Sequence, residues 1–235
     1  MALDTLPHLS PAYQPAGRLI PIFTASDEGE NAQASIKLTL SLAKSAAARG
    51  ETVLMLDAQD GALMTAAGII YNKTLGDVLY RGADITDVLY ITSNEHFTAC
   101  ACGDAQMDVV LGSMAALSLS YDWVFVAAPV GCTPAHTRLA QASDVSVMTY
   151  SAASDHFMRA YWMMEAMRTR APKFDPLVLS TGPQDLAVES ALLLSDTIRQ
   201  FLGAPPPYGG HLTDPNLNTR ILDKISEVAA QIAVA

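Results

Sequence analysis

The stretch TASDEGENAQASIKL, residues 24–38, decides how the rest of the chain is read. The apolar run RLIPIF (18–23) precedes it. A helical pattern follows, ending at AAARG (46–50), and then a second apolar run, ETVLMLDA (51–58). Strand, loop, helix and strand in that order put the loop at the amino end of a helix, where backbone N–H groups and the helix dipole favour anions. This loop carries one glycine, Gly29, three acids, Asp27, Glu28 and Glu30, and no lysine before Lys37.

Working outward, apolar residues at 36, 38, 40, 42, 43, 46 and 47 predict a helix over 35–49, with Gly50 as its C-cap. Strands are expected at 19–24, 52–56, 96–102, 121–131, 144–151, 175–181 and 207–213. Pro21 points to an edge-like or irregular first strand. Helices are expected at 107–119, 133–143, 155–170, 189–203 and 215–235, with two short ones around Gly82. Such alternation defines an α/β fold with a mostly parallel sheet covered by helices on both faces. Ligands in such sheets bind at the carboxyl ends of the strands. Residues 1–17, with three prolines and little periodicity, read as an extended N-terminal arm, and 18–235 as a single domain.

Composition narrows the function. The chain has 235 residues, 50% hydrophobic and 16% charged, enough for one sizeable core. Its net charge is −10 and it has no basic stripe, which excludes nucleic acid as a partner and disfavours anionic membrane. No signal peptide or membrane-length apolar run is visible, so a cytoplasmic, bacterial location is expected. Cys100, Cys102 and Cys132 are too few for a disulfide framework and read as free thiols, with no metal assigned. There is no G-x-S-x-G and no H-E-x-x-H.

Several phrases carry a resemblance: ARGETVLMLDAQDG, TLGDVLYRGADITDVL, YDWVFVAAPVG, LAQASDVSVMTYSAAS and FLGAPPPYGGHLTDPNL. In this order and spacing they resemble the MinD/ParA family of deviant-Walker P-loop ATPases, with FlhG the nearest branch, over residues 18–230. The resemblance implies a P-loop NTPase-like fold. It also implies a phosphate-binding lysine at Ser35, a magnesium-binding hydroxyl at Ile36, an early signature lysine near Glu30, and glycines near Asn31, Ala32 and Ala34, with Gly29 the first glycine-like position. None of those residue types stands there except Gly29. Asp57 matches the first aspartate of the family's Asp-Ala-Asp, Gln59 replaces the second, and Asp60 lies beside it. Ala127 stands where the family has its magnesium-positioning aspartate, while Pro129 and Gly131 are kept. Ser180 and Thr181 stand where an adenine-recognising asparagine is implied.

Acids where the family supplies cations would repel a triphosphate by a few kcal/mol per close pair. ATP and magnesium binding are therefore expected to be lost or very weak, and no hydrolysis or catalytic residue is expected. The resemblance then implies a pseudo-ATPase acting through protein contacts as an adaptor or regulator in bacterial spatial organisation, at flagellar, polar or division machinery. It would be a monomer or a nucleotide-independent homodimer, recruited to a pole or envelope complex. The alternative is a sensor or enzyme that reuses the crevice for another small ligand, held by Asp57, Asp60 and the acidic loop.

Two helices bear on partners. In 155–170 a core stripe of Phe157, Ala160, Tyr161, Met164 and Met167 leaves Met158, Trp162 and Met163 off it, as a possible partner interface. In the terminal helix Ile221, Leu222, Ile225, Val228 and Ile232 share one side, but Asp223 and Glu227 balance Arg220 and Lys224. Packing onto the domain is expected, not membrane targeting. The flagellar branch's glutamine-containing activation motif is not visible in residues 1–17.

Overall fold

Eight strands form one sheet in the order β3-β4-β2-β5-β1-β6-β7-β8. The computed structural model describes residues 18–25, 33–92, 96–153 and 156–232, with the side chains of all but 113–118 and 228–232. The strands are β1 (Arg18–Thr24), β2 (Val53–Asp57), β3 (Tyr90–Ile91), β4 (Thr98–Ala101), β5 (Trp123–Ala127), β6 (Val147–Ser151), β7 (Leu177–Thr181) and β8 (Tyr208–His211). All pair in parallel except β3, which runs antiparallel along one edge of the sheet against β4. The central strands are buried on both faces and read as unbroken apolar runs, as a covered parallel sheet requires.

Helices cover both faces. One face carries α1 (Ala34–Ala48), α2 (Ala62–Ala66) and α8 (Leu217–Ile232). The other carries α3 (Leu75–Arg81), α4 (Met107–Ser118), α5 (Pro134–Ala142), α6 (Phe157–Arg170) and α7 (Ala187–Phe201). The core divides accordingly. Ile20, Ile22, Met55 and Phe125 point to the first layer and meet Leu38, Leu42 and Ile221, while Phe23, Leu56, Val126 and Tyr150 point to the second and meet Met164 and Leu194. Gly82, at φ +74°, ends α3 in the left-handed conformation that glycine adopts without a Cβ penalty.

The sequence misplaced β1. It is no edge strand: β5 pairs it on one side and β6 on the other. Pro21 is tolerated because the ladder to β6 begins only at Ile22. The terminal helix packs on the domain as expected. Leu217, Ile221, Leu222 and Ile225 are buried, Arg49 pairs with Asp223 at 2.8 Å, and Asn218 meets Ser41 and Ser45 on α1. Among the described residues no helix is long and apolar enough to cross a membrane.

Candidate functional site

The fold brings four elements together at the carboxyl ends of the central strands: the ends of β1, β2 and β5 and the amino end of α1. Asp57 and Ala127 are register partners on neighbouring strands, and Ala127 also pairs with Ile22 of β1. The sequence therefore named positions that do meet in space. Gly29 and Glu30, with Asp27, Glu28, Asn31 and Ala32, lie outside the described residues.

Ser35, Ile36 and Asp57 are engaged within the protein. Ser35 is fully buried in the first turn of α1. Its hydroxyl accepts a 2.8 Å hydrogen bond from the Gln59 side-chain amide, which also donates to the Ala128 carbonyl at 2.5 Å. One glutamine thus ties the helix start to the loop after β5. Ile36 is buried with Ile22 and Phe125, an apolar contact in place of a metal-binding hydroxyl. Asp57, only 1% exposed, accepts from the backbone N–H groups of Gln59 (2.7 Å) and Met64 (2.9 Å), one on each oxygen. Buried carboxylates need such partners. Asp60 sits exposed in the turn that follows, at φ +51°, a left-handed conformation that aspartate tolerates better than most residues. Ala127 is fully buried and brings no carboxylate to the crevice.

Two histidines that the sequence analysis passed over fix the neighbouring loops. His136 of α5 accepts from the Thr133 N–H at Nδ1 (3.1 Å) and faces the Pro129 carbonyl with Nε2 at 2.7 Å. That pairing assigns the neutral ring protonated at Nε2. Burial lowers its pKa below the ordinary value, against a smaller raising effect of the Pro129 contact. His211 repeats the geometry one strand pair away: Nδ1 accepts from Thr213 N–H (3.2 Å) and Nε2 meets the Gly182 carbonyl (3.1 Å). Pro129 and Gly131 belong to the loop His136 holds, with Gly131 at φ +121°. Ser180 and Thr181, at the end of β7, bond to the Tyr208 hydroxyl (2.7 Å) and the Tyr150 carbonyl (3.2 Å). The motif T-P-A-H at a helix start, a capping box closed by histidine, was the sequence signal for His136.

Among the described residues no group of three or more His, Cys, Asp or Glu side chains is placed to hold a metal ion. Cys100, within β4, and Cys102, just after it, are buried. Desolvation pushes the Cys100 thiol up to about 12 and raises Cys102 as well, so both are inert at neutral pH. On α6, Trp162 is 57% exposed and Met158 half-buried, whereas Met163 is buried beside Met164. Met163 is thus a core residue, because α6 contacts the sheet and its neighbouring helices over more than one stripe.

No protein-family model and no curated protein matches the chain. Solved structures do. The chain is similar to the MinC:MinD cell division protein complex of Aquifex aeolicus, with 16% identity and a TM-score of 0.64 over 93% of this chain and 96% of that one. The cell division ATPase MinD of Pyrococcus furiosus gives 16% identity and a TM-score of 0.65 over 92% and 99%. Cobyrinic acid a,c-diamide synthase of Mycobacterium smegmatis, with bound ADP and magnesium, gives 12% and 0.67 over 89% and 93%. At these identities the likeness establishes the fold, the α/β sheet of MinD/ParA-type P-loop ATPases.

Proposed function

We propose that this chain is a pseudo-ATPase of the MinD/FlhG type, a non-hydrolysing adaptor or regulator in bacterial spatial organisation. The observation that carries this reading is the Ser35–Gln59–Ala128 link. At the two positions where the resemblance implies lysine and aspartate, the chain has serine and glutamine, and they bond to each other across the crevice. With Ile36 in the core and Ala127 without a carboxylate, the described residues do not fit a nucleotide–magnesium complex held in the family's manner. A triphosphate entering there would break the link and meet no cation among these residues.

The function then rests on a surface. MinD of Aquifex aeolicus is found with MinC, which favours a protein partner for this chain too. The exposed apolar side chains Trp162 on α6 and Val188, Leu192 and Phe201 on α7 offer one. The reading is tested by calorimetric titration of the full chain with ATP, ADP and magnesium. No saturable heat and no phosphate release is the expected result. Micromolar ATP binding, or hydrolysis lost on mutation of Ser35 or Asp57, would instead make it an active relative of the synthase and ATPases whose fold it has.

A further inference from the structure

We propose that residues 1–17 dock into a cavity at the opposite end of the sheet from the Asp57 crevice. This cavity, about 710 Å³, opens below the amino ends of β6 and β7. Its volume is in the range that holds a peptide segment or drug-sized ligand. Its walls are mostly apolar: Val145, Ala171, Pro172, Phe174, Leu177 and Ile225. They come from both layers, with Phe174 packed against the α6 side and Ile225 on α8.

The occupant follows from where the chain enters the sheet. The Leu19 N–H donates to the Asp144 carboxylate at 2.8 Å, and Asp144 itself lines the cavity. The Arg18 N–H donates to the Asp122 carbonyl at 3.0 Å, which fixes the direction of entry. Arg18 therefore begins the strand beside β6, one strand from the cavity mouth. Seventeen residues precede β1, with Asp4 their one charged side chain and prolines at 7, 11 and 15. Leu3, Leu6 and Leu9 recur every third residue. A polyproline II strand has three residues per turn and rises about 3.1 Å per residue, so the three leucines would share one edge. The eight residue steps from 9 to 17 would span roughly 25 Å in that form, ample to bring Leu9 and Leu6 under β7. A pre-extended, uncharged apolar edge suits a mostly apolar groove whose charged lining residues, Asp144 and Asp175 against Lys173 and Lys224, balance in sign, and tethering gives it a high effective concentration. The placement does not depend on whether the crevice at the other end binds nucleotide.

The test uses the full chain carrying Cys132→Ser. Leu9→Cys is combined with Lys173→Cys at the cavity mouth or, as control, with Gln184→Cys at the far end of β7. After mild oxidation, the disulfide between positions 9 and 173 should form within single chains about tenfold above the 9–184 pair. Equal yields would overturn the proposal, as would a 9–173 disulfide found only between two chains, which would make the occupant a second copy's arm. Independently, Leu6→Ser with Leu9→Ser should speed amide exchange in 140–146 and 171–177 about tenfold and leave α1 unchanged. Unaltered exchange in both segments would also overturn it.

Discussion

The Gln59 side chain donates to the Ser35 hydroxyl at 2.8 Å, joining the end of β2 to the start of α1 across 24 residues of sequence. Both partners are held from behind: the Gln59 N–H binds Asp57, and the Ser35 carbonyl accepts from the Thr39 hydroxyl at 2.7 Å. The pair is thus preorganised, and its loss leaves buried polar atoms unmatched. Ser35→Ala and Gln59→Ala should each destabilise the fold by about 1–2 kcal/mol. In a double-mutant cycle they should couple by at least about 0.5 kcal/mol, because each removes the other's partner. Urea denaturation of the four proteins measures this. Strict additivity would mean that the link is incidental.

Asp57 takes a structural role here, and that role predicts a specific cost. Asp57→Ala would leave the backbone N–H groups of Gln59 and Met64 unpaired in a dry position. A destabilisation of about 2–4 kcal/mol is expected from losing two charge-assisted hydrogen bonds. Asp57→Asn, which keeps one acceptor oxygen, should cost less. Chemical denaturation distinguishes the two. If the aspartate instead served only a reacting water, neither change would lower stability by more than the few tenths typical of a surface site.

Much of this arrangement was legible beforehand, and the parts that were not share a cause. The alternation of strands and helices and the mostly parallel sheet followed from the succession of apolar runs, whereas the strand order and the register that pairs Asp57 with Ala127 depend on contacts far apart in the chain. Pro21 misled because the rule confining proline to edges concerns ladder bonds, and β1 leaves that ladder unbuilt until Ile22. Met163 misled because a helix wedged between a sheet and two other helices buries more than one stripe. His211 and the Ser35–Gln59 bond were invisible because their partners lie far away in the chain, whereas His136 was passed over although its capping box stood in the sequence. Such pairings leave little trace in composition or period. Ser35, Ile36, Gln59, Ser180 and Thr181, which the sequence marked as departures, are each taken up by a contact within the fold, and Ala127 simply brings no polar group.

His136 makes stability pH-dependent in a definite direction. Burial holds its folded pKa below the ordinary 6.5, so below that pH the unfolded chain takes up a proton that the folded chain resists. The neutral ring's contribution is fully present above pH 6.5 and is lost as pH falls through the lowered folded value. The urea midpoint should therefore drop between pH 7.5 and 5. The drop should be smaller in His136→Gln, which keeps a donor for Pro129 but has no proton to gain in this range. Parallel pH profiles in the two proteins would show that His136 does not carry the effect. The comparison is needed because the chain has four other histidines.

The three thiols should separate in reactivity. Cys100 and Cys102 are buried and have raised pKa values, so neither offers thiolate or access. Cys132 is half-buried; desolvation raises its pKa, and Arg170 opposes the rise. Iodoacetamide at pH 8 should label Cys132 in the folded protein and reach the other two only in denaturant. Mass spectrometry of the digests reads this directly. Labelling of Cys100 in the native protein would mean that β4 opens readily at its edge.

The outer side of the α6/α7 pair is where a partner would leave its mark. Trp162 is 57% and Phe201 63% exposed, and Phe201 meets Tyr161 edge-to-face at 6.3 Å between centroids. Glu165, one turn on from Tyr161, lies on the solvent side of the same helix, so one more acid there disturbs little within the fold. Trp162→Glu should shift stability by no more than about 0.5 kcal/mol, as exposed substitutions do. If the surface is an interface, the same change removes a large aromatic anchor and adds a charge that must be desolvated, a loss of about 2 kcal/mol or more in association. Sedimentation velocity on the purified chain reads self-association, and capture from the native cell, followed by identification of the bound protein, reads a foreign partner. Should Trp162→Glu leave folding, oligomeric state and the captured protein all unchanged, the tryptophan is an exposed residue without an interface, and the partner surface proposed above must be sought elsewhere.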